Sequence, residues 1–227
     1  MPQTTQLSLT MENLIEIESV GAILTHPELS LSSKLPILSP INGPLRGRGN
    51  SYYPARMRNI DTLRTTRLLA KRLRPEDFGM VLRLNQDARS MGFIGGIRSE
   101  AKTREYMEES LAQWADRGYG VYIVYDADSG EAVGRAGLRW RNVAEAWDND
   151  LGYSFFPDSW GKGFATEIGA ALLEVGFGPL QLKSITAFTN TANAASRRVM
   201  EKLGFRHEKD FEFAGEPHVL YRIAPGA

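Results

Sequence analysis

Trp160-Gly161-Lys162-Gly163-Phe164-Ala165-Thr166-Glu167 follows an apolar stretch, Leu151-Gly152-Tyr153-Ser154-Phe155-Phe156, that ends at Pro157. After Phe164, apolar residues recur at Ile168, Ala171, Leu172 and Val175, the spacing of a helix with one buried face. The reading is strand, short glycine-containing turn, helix. Gly161 and Gly163 carry no Cβ and let a ligand approach the backbone closely. The first amides of a helix have no partner inside it and lie at the positive end of its dipole, a setting that suits a phosphate or pyrophosphate. Lys162 adds a full charge within the turn. The same glycines can equally serve turn geometry alone.

Two common nucleotide motifs do not fit. A P-loop needs Gly where Phe156 stands and Ser or Thr where Gly163 stands. A dinucleotide fingerprint needs a third glycine where Thr166 stands.

Working outward, the chain has 227 residues, 42% of them hydrophobic, enough for one domain with a sizeable core and an appendage. Its 27 basic and 27 acidic residues balance, which argues against a general affinity for nucleic acid. Without cysteine there is no disulfide, thiolate metal site or cysteine nucleophile, and a reducing compartment is compatible. His26, His207 and His218 are too scattered for a metal cluster. No apolar run approaches the ~20 residues of a membrane span. The first residues carry Glu12, Glu16 and Glu18 in place of a signal peptide's basic start, and these acids also argue against a mitochondrial presequence. A cytoplasmic protein that binds no metal and no membrane is the expectation.

Residues 1–60 hold many breakers and no sustained period, and are expected to be a disordered extension with a short helix near Met11 to Ile17. From Arg46 to Arg74 nine basic residues face one acid, Asp61, a tract read as a solvated linker. The folded unit is expected over 61–227, its pattern starting near Thr65. A strand at 68–73 precedes a helix opened by Pro75-Glu76-Asp77, and a second helix runs from Ser99 to Arg117, stopped by Gly118. Strands at 120–126 and 132–141 form a hairpin, and 142–149 read as a polar loop before a strand at 150–156. After the octet and its helix come a strand at 183–189, a helix at 193–203, and strands at 205–213 and 218–223. Strand, two helices, three strands, helix, strand, helix and two strands imply an α/β (α+β) mixed sheet with helices on both faces.

This order, the octet, and Asn193-Ala194-Ala195-Ser196-Arg197-Arg198-Val199-Met200-Glu201-Lys202-Leu203-Gly204-Phe205 together resemble the GNAT N-acetyltransferases. Thr66-Arg67-Leu68-Leu69, the Arg74-Pro75-Glu76-Asp77 turn and Trp160-Gly161-Lys162-Gly163 resemble in particular the ribosomal-protein N-acetyltransferase-like (RimJ/RimL-type) branch. The resemblance spans roughly residues 60–224. The superfamily signature Gln/Arg-x-x-Gly-x-Gly/Ala falls on Trp160 to Ala165, with Gly163 and Ala165 matching and Trp160 in place of the usual Gln or Arg, a mark of that branch.

The resemblance implies transfer of acetyl from acetyl-CoA directly to a primary amine, on a protein N-terminus or a small molecule. A non-catalytic acyl-CoA-binding module is the alternative. It further implies that amides of Gly161, Lys162, Gly163, Phe164 and Ala165 hold the pyrophosphate, and that strand backbone around Phe155 and Phe156 pairs with the pantetheine arm. Asn193 is a helix cap or a cofactor contact, and Arg197, one turn on, a phosphate ligand or a solvated side chain. Many GNAT enzymes place a tyrosine acid where this chain has Met200, which cannot donate a proton, so Ser196 becomes the candidate partner of the leaving sulfur. Asp150, with Asp148 and Glu145, is a candidate base. Trp140 to Trp147, Phe93 and Trp114 are expected to border the acceptor site or to pack in the core.

Overall fold

The computed structural model describes residues 60–226. The elements are β1 (Thr62–Arg64), β2 (Leu68–Arg72), α1 (Phe78–Gln86), α2 (Ala88–Met91), α3 (Glu100–Arg117), β3 (Val121–Asp126), β4 (Ala132–Val143) and β5 (Ala146–Phe155). They continue with α4 (Phe164–Phe177), β6 (Ile185–Asn190), α5 (Ala194–Lys202), β7 (Arg206–Phe213) and β8 (Glu216–Ile223). One sheet takes the order β1-β2-β3-β4-β5-β6-β8-β7. Neighbours are antiparallel except β5 and β6, which run parallel.

Alternation along β3 divides the core in two. Val121 and Ile123 face Val81 of α1 and Tyr106 and Met107 of α3. Tyr122 and Val124 join the larger cluster, with Phe164, Ile168 and Leu172 of α4 and Met200 of α5. Helices therefore cover both faces, as the mixed-sheet expectation requires. Ser99 caps α3, its hydroxyl accepting from the Lys102 amide at 3.2 Å, and Gly118 ends it at φ 72°.

The order differs from expectation by two small additions, β1 and α2, both too short for a periodic signal. The expected extension, residues 1–60, lies outside the described residues except for Ile60, which is buried and whose carbonyl accepts the Tyr122 hydroxyl at 2.7 Å. The polar loop expected at 142–149 is corrected to a long hairpin. β4 and β5 pair without interruption from Gly134↔Phe155 to Val143↔Ala146, turning at Ala144 and Glu145, whose φ values of 49° and 72° are left-handed. Arg139 stands opposite Asp150 and Arg141 opposite Asp148, so Asp148, a charge inside the expected loop, sits on the strand across from a cation.

β5 and β6 meet in a single bridge, Asp150↔Thr186, and diverge beyond it. The Phe156 amide donates to the Val133 carbonyl of β4 at 2.9 Å. Bonding partners alternate along an antiparallel pair, so Phe156, Ser154 and Gly152 turn their backbone groups to β4 while Tyr153 and Phe155 turn theirs to the gap beside β6.

Candidate active site

The donor side begins at the turn after β5. Gly161 and Gly163 have φ of 74° and 81°, left-handed values that glycine adopts freely, and a Cβ on Gly161 would meet open space. Gly163 caps α4 without a side chain. The first intrahelical bond runs from the Glu167 amide to the Gly163 carbonyl, so the amides of Phe164, Ala165 and Thr166 lie ahead of it. Lys162 and Gly163 are exposed, while the Phe164 side chain is buried against Phe155. Free amides, a dipole end and room where a Cβ would stand fit a phosphate group.

Arg67 holds this turn against the start of β2. Its guanidinium bonds the Lys162 carbonyl at 2.9 Å and Glu167 at 2.6 and 2.7 Å, and lies over the Phe164 ring. Glu167 also accepts from the Thr65 hydroxyl at 2.6 Å and the Arg67 amide at 2.8 Å. Partial burial raises the Glu167 pKa, but the Thr65 and Arg67 bonds outweigh it and hold the carboxyl below its ordinary value.

Trp160 is half exposed, and its indole N–H donates to the Phe155 carbonyl at 2.8 Å, which the Ser90 hydroxyl also reaches at 3.3 Å. That carbonyl is occupied, leaving the Phe155 amide and both backbone groups of Tyr153 facing the gap. Phe156 departs from the expected pairing. Its amide bonds Val133, its carbonyl accepts from Ser159, and Arg83 covers its ring.

In α5, Asn193 serves as the cap: its oxygen accepts the Ser196 amide at 3.1 Å, and its nitrogen donates to Thr189 at 3.0 Å. The amide keeps a second N–H and a second oxygen lone pair, so capping leaves room for a cofactor contact. Arg197 makes long bonds, 3.5 Å each, to the Tyr221 hydroxyl and the Thr191 carbonyl. Met200 is fully buried in the core. The Ser196 hydroxyl lies 2.9 Å from that of Tyr153, a residue within the apolar stretch before the octet. Burial, partly offset by the Ser196 bond, pushes the Tyr153 phenol up to about 12. It therefore stays protonated at neutral pH, and its one O–H also reaches the Ser196 carbonyl at 3.2 Å.

The opposite face of β5 carries the acids. Asp150 is 2% exposed, sits at the bridge where the strands part, and meets Arg139 at 3.1 Å and Arg141 at 3.9 Å through Oδ2. Its Oδ1 has no partner. Burial raises the Asp150 pKa, with Arg139 and Arg141 opposing, and a raised carboxylate is the better base. Asp148 is tied to Arg222, and Glu145 sits in the hairpin turn. Trp114 is a core residue that donates to the Val121 carbonyl, whereas Trp140 and Trp147 stack on the hairpin and Phe93 is exposed. Among the described residues no group of His, Asp or Glu is placed to hold a metal ion, and no helix is long and apolar enough to cross a membrane.

The sheet that parts beside a glycine turn is accompanied by relatedness in sequence. Residues 67–206 match the acetyltransferase (GNAT) domain family, and the chain belongs to it. Bacillus subtilis (strain 168) has two similar proteins. The uncharacterized protein YkkB is 30% identical over 63% of this chain and 82% of its own length. The uncharacterized N-acetyltransferase YnaD is 28% identical over 65% and 84%. An acetyltransferase from Agrobacterium tumefaciens superposes with a TM-score of 0.64 at 26% identity, covering 78% of this chain and 99% of that one. RimL, a ribosomal L7/L12 α-N-protein acetyltransferase in complex with coenzyme A, shares the fold at 16% identity with a TM-score of 0.60 over 70% of this chain and 95% of its own.

Proposed function

We propose that this protein transfers acetyl from acetyl-CoA directly to a primary amine. The observation that carries this is the β5–β6 gap, bordered by unpaired backbone groups of Tyr153 and Phe155 and leading from the α4 turn. A pyrophosphate suits the amides of residues 161–165, with Lys162 and Arg67 supplying charge nearby. An amide-containing arm suits the free strand edge at Tyr153 and Phe155.

The amine nitrogen forms its bond to the acetyl carbon, the carbon–sulfur bond breaks, and the thiolate departs with the electron pair. Asp150 Oδ1 takes the proton that the amine must lose. An α-amino group near pKa ~8 needs less help than a lysine near ~10.4. On the other face of β5, the Tyr153–Ser196 pair meets the leaving sulfur. A phenol near 12 is a weaker acid than a thiol near ~8.5, so Tyr153 stabilises the thiolate by hydrogen bonding and leaves full protonation to solvent.

The donor site is tested by thermal unfolding with and without acetyl-CoA, which should raise the Tm. Gly163→Asp should abolish the rise, and Gly163→Asn, sharing the strained φ but not the charge, should retain part of it. A full rise in folded Gly163→Asp would sink the assignment. Binding without thiol release across amines would favour an acyl-CoA-sensing module.

A further inference from the structure

Four guanidinium groups gather on the α3 side of the β4–β5 pair. Arg135, Arg139 and Arg141 alternate along β4 and share one face, and Arg98 joins them from the segment entering α3. Arg139 and Arg141 have Asp150 as counter-charge. Arg98 and Arg135 have no carboxylate within ion-pair distance among the described residues. Both lie instead over the same ring, Tyr106, at 5.5 and 4.3 Å from its centroid.

Arg135 is 6% exposed, and its Nη1 has no hydrogen-bond partner. Burial, with the like charges of Arg98 and Arg139 against the opposing Tyr106, pushes this guanidinium down to about 10, which leaves it charged at neutral pH. A buried, unpaired cation opposes folding unless a ligand supplies the counter-charge. Two further buried polar atoms on this face lack partners, Asp150 Oδ1 and Ser154 Oγ, and Ser154 stands opposite Arg135. An open cleft of about 540 Å³ is lined by Arg98 and Tyr106, with Lys102 and Glu105 paired at its wall, and Arg135 is buried against the Tyr106 ring without lining it. Glu109 faces Arg98 and Arg139. Four guanidiniums outnumber the nearby carboxylates Asp150, Glu109 and Asp148, the last also paired to Arg222, so this face carries net positive charge.

We propose that the acceptor amine carries a carboxylate, held by Arg135 and Arg98 beside Tyr106, while its amino group lies at the free Oδ1 of Asp150. This rests on the acetyl-transfer reading and narrows it to amino acids and related amino carboxylates. Planar guanidinium forks match a carboxylate in geometry and charge. The same excess charge repels polycationic acceptors such as polyamines and aminoglycosides. The transfer step keeps its balance: the new bond is nitrogen to acetyl carbon, the broken bond carbon to sulfur, and the amine proton goes to Asp150.

Thiol release by the full chain, with acetyl-CoA and matched pairs of amino acids and their carboxamides, tests the proposal. The pairs should span several separations of amine and carboxylate, with polyamines, aminoglycosides and open-N-terminus peptides as further arms. The carboxylate member should have a kcat/KM about 10- to 100-fold above its carboxamide. Arg135→Met should bring that ratio toward unity and, by removing an unpaired buried charge, raise the Tm of the substrate-free protein. Preference for peptides with acidic side chains near the N-terminus would support the same anion site. Equal turnover of carboxylates and carboxamides, a preference for polycations, or an unchanged ratio in folded Arg135→Met would overturn the proposal while acetyl transfer stands. No thiol release with any amine would remove both readings.

Discussion

Tyr153 and Asp150 sit on one strand three positions apart, so their side chains project to opposite faces of the sheet beside the gap. In the proposed reaction, one strand serves the leaving sulfur on one side and the attacking amine on the other. Tyr153→Phe keeps the ring in place and removes only the hydroxyl shared with Ser196. The expected outcome is a fall in kcat of about 10- to 100-fold, as for a lost bond to a developing charge, with little change in KM for acetyl-CoA. An unchanged kcat would remove Tyr153 from the chemistry. Ser196 is legible as the hydroxyl one turn before Met200, and Asp150 as an acid entering the central strand. Tyr153 escaped because a tyrosine in an apolar strand looks like core, and only the packing of α5 onto β5 brings its hydroxyl to Ser196.

At the scale of the element, the N-terminus of α4 combines a feature the sequence displayed with one it concealed. The two glycines and the helical period were legible. The Arg67–Glu167–Thr65 network was not, because it joins residues some 100 positions apart. Glu167 has a depressed folded pKa, so its stabilisation is full above the ordinary carboxylate value of 4.5 and is lost as pH falls through the lower folded value. Glu167→Gln should therefore lower stability at neutral pH by about 1–2 kcal/mol, the partial exposure of Arg67 moderating the loss. The difference from the parent should shrink toward zero below pH 4.5. A difference of constant size from neutral to strongly acid pH would show that the carboxylate charge is not what holds the turn. The β4–β5 hairpin teaches the reverse lesson: Asp148 and Asn149 read as loop because their partners, Arg222 and the Tyr119 hydroxyl, are polar groups that only the folded sheet brings near.

For the molecule as a whole, strand and helix order was readable because most elements carry their own period and stop signals, as Ser99 and Gly118 do for α3. The start of the fold was harder to place, since Ile60 and β1 matter through burial and pairing, not through pattern. A chain lacking residues 1–58 should keep the Tm of the full chain and its response to acetyl-CoA. Deletion through residue 64 removes Ile60, its bond to Tyr122 and β1, and should cost about 2–4 kcal/mol of stability. Equal stability of the two truncations would mean that this edge contributes nothing to the folded state.

The single bridge between β5 and β6 has a consequence for cooperativity. The larger core cluster runs under both halves of the sheet, from Leu138 and Leu151 to Ile185 and Tyr221, so side chains unite what the backbone ladder leaves divided. The sheet is then two hydrogen-bonded halves resting on a shared apolar floor. A molecule that laces its own amides into the gap acts as a missing strand, and part of its binding free energy becomes cohesion of the sheet itself.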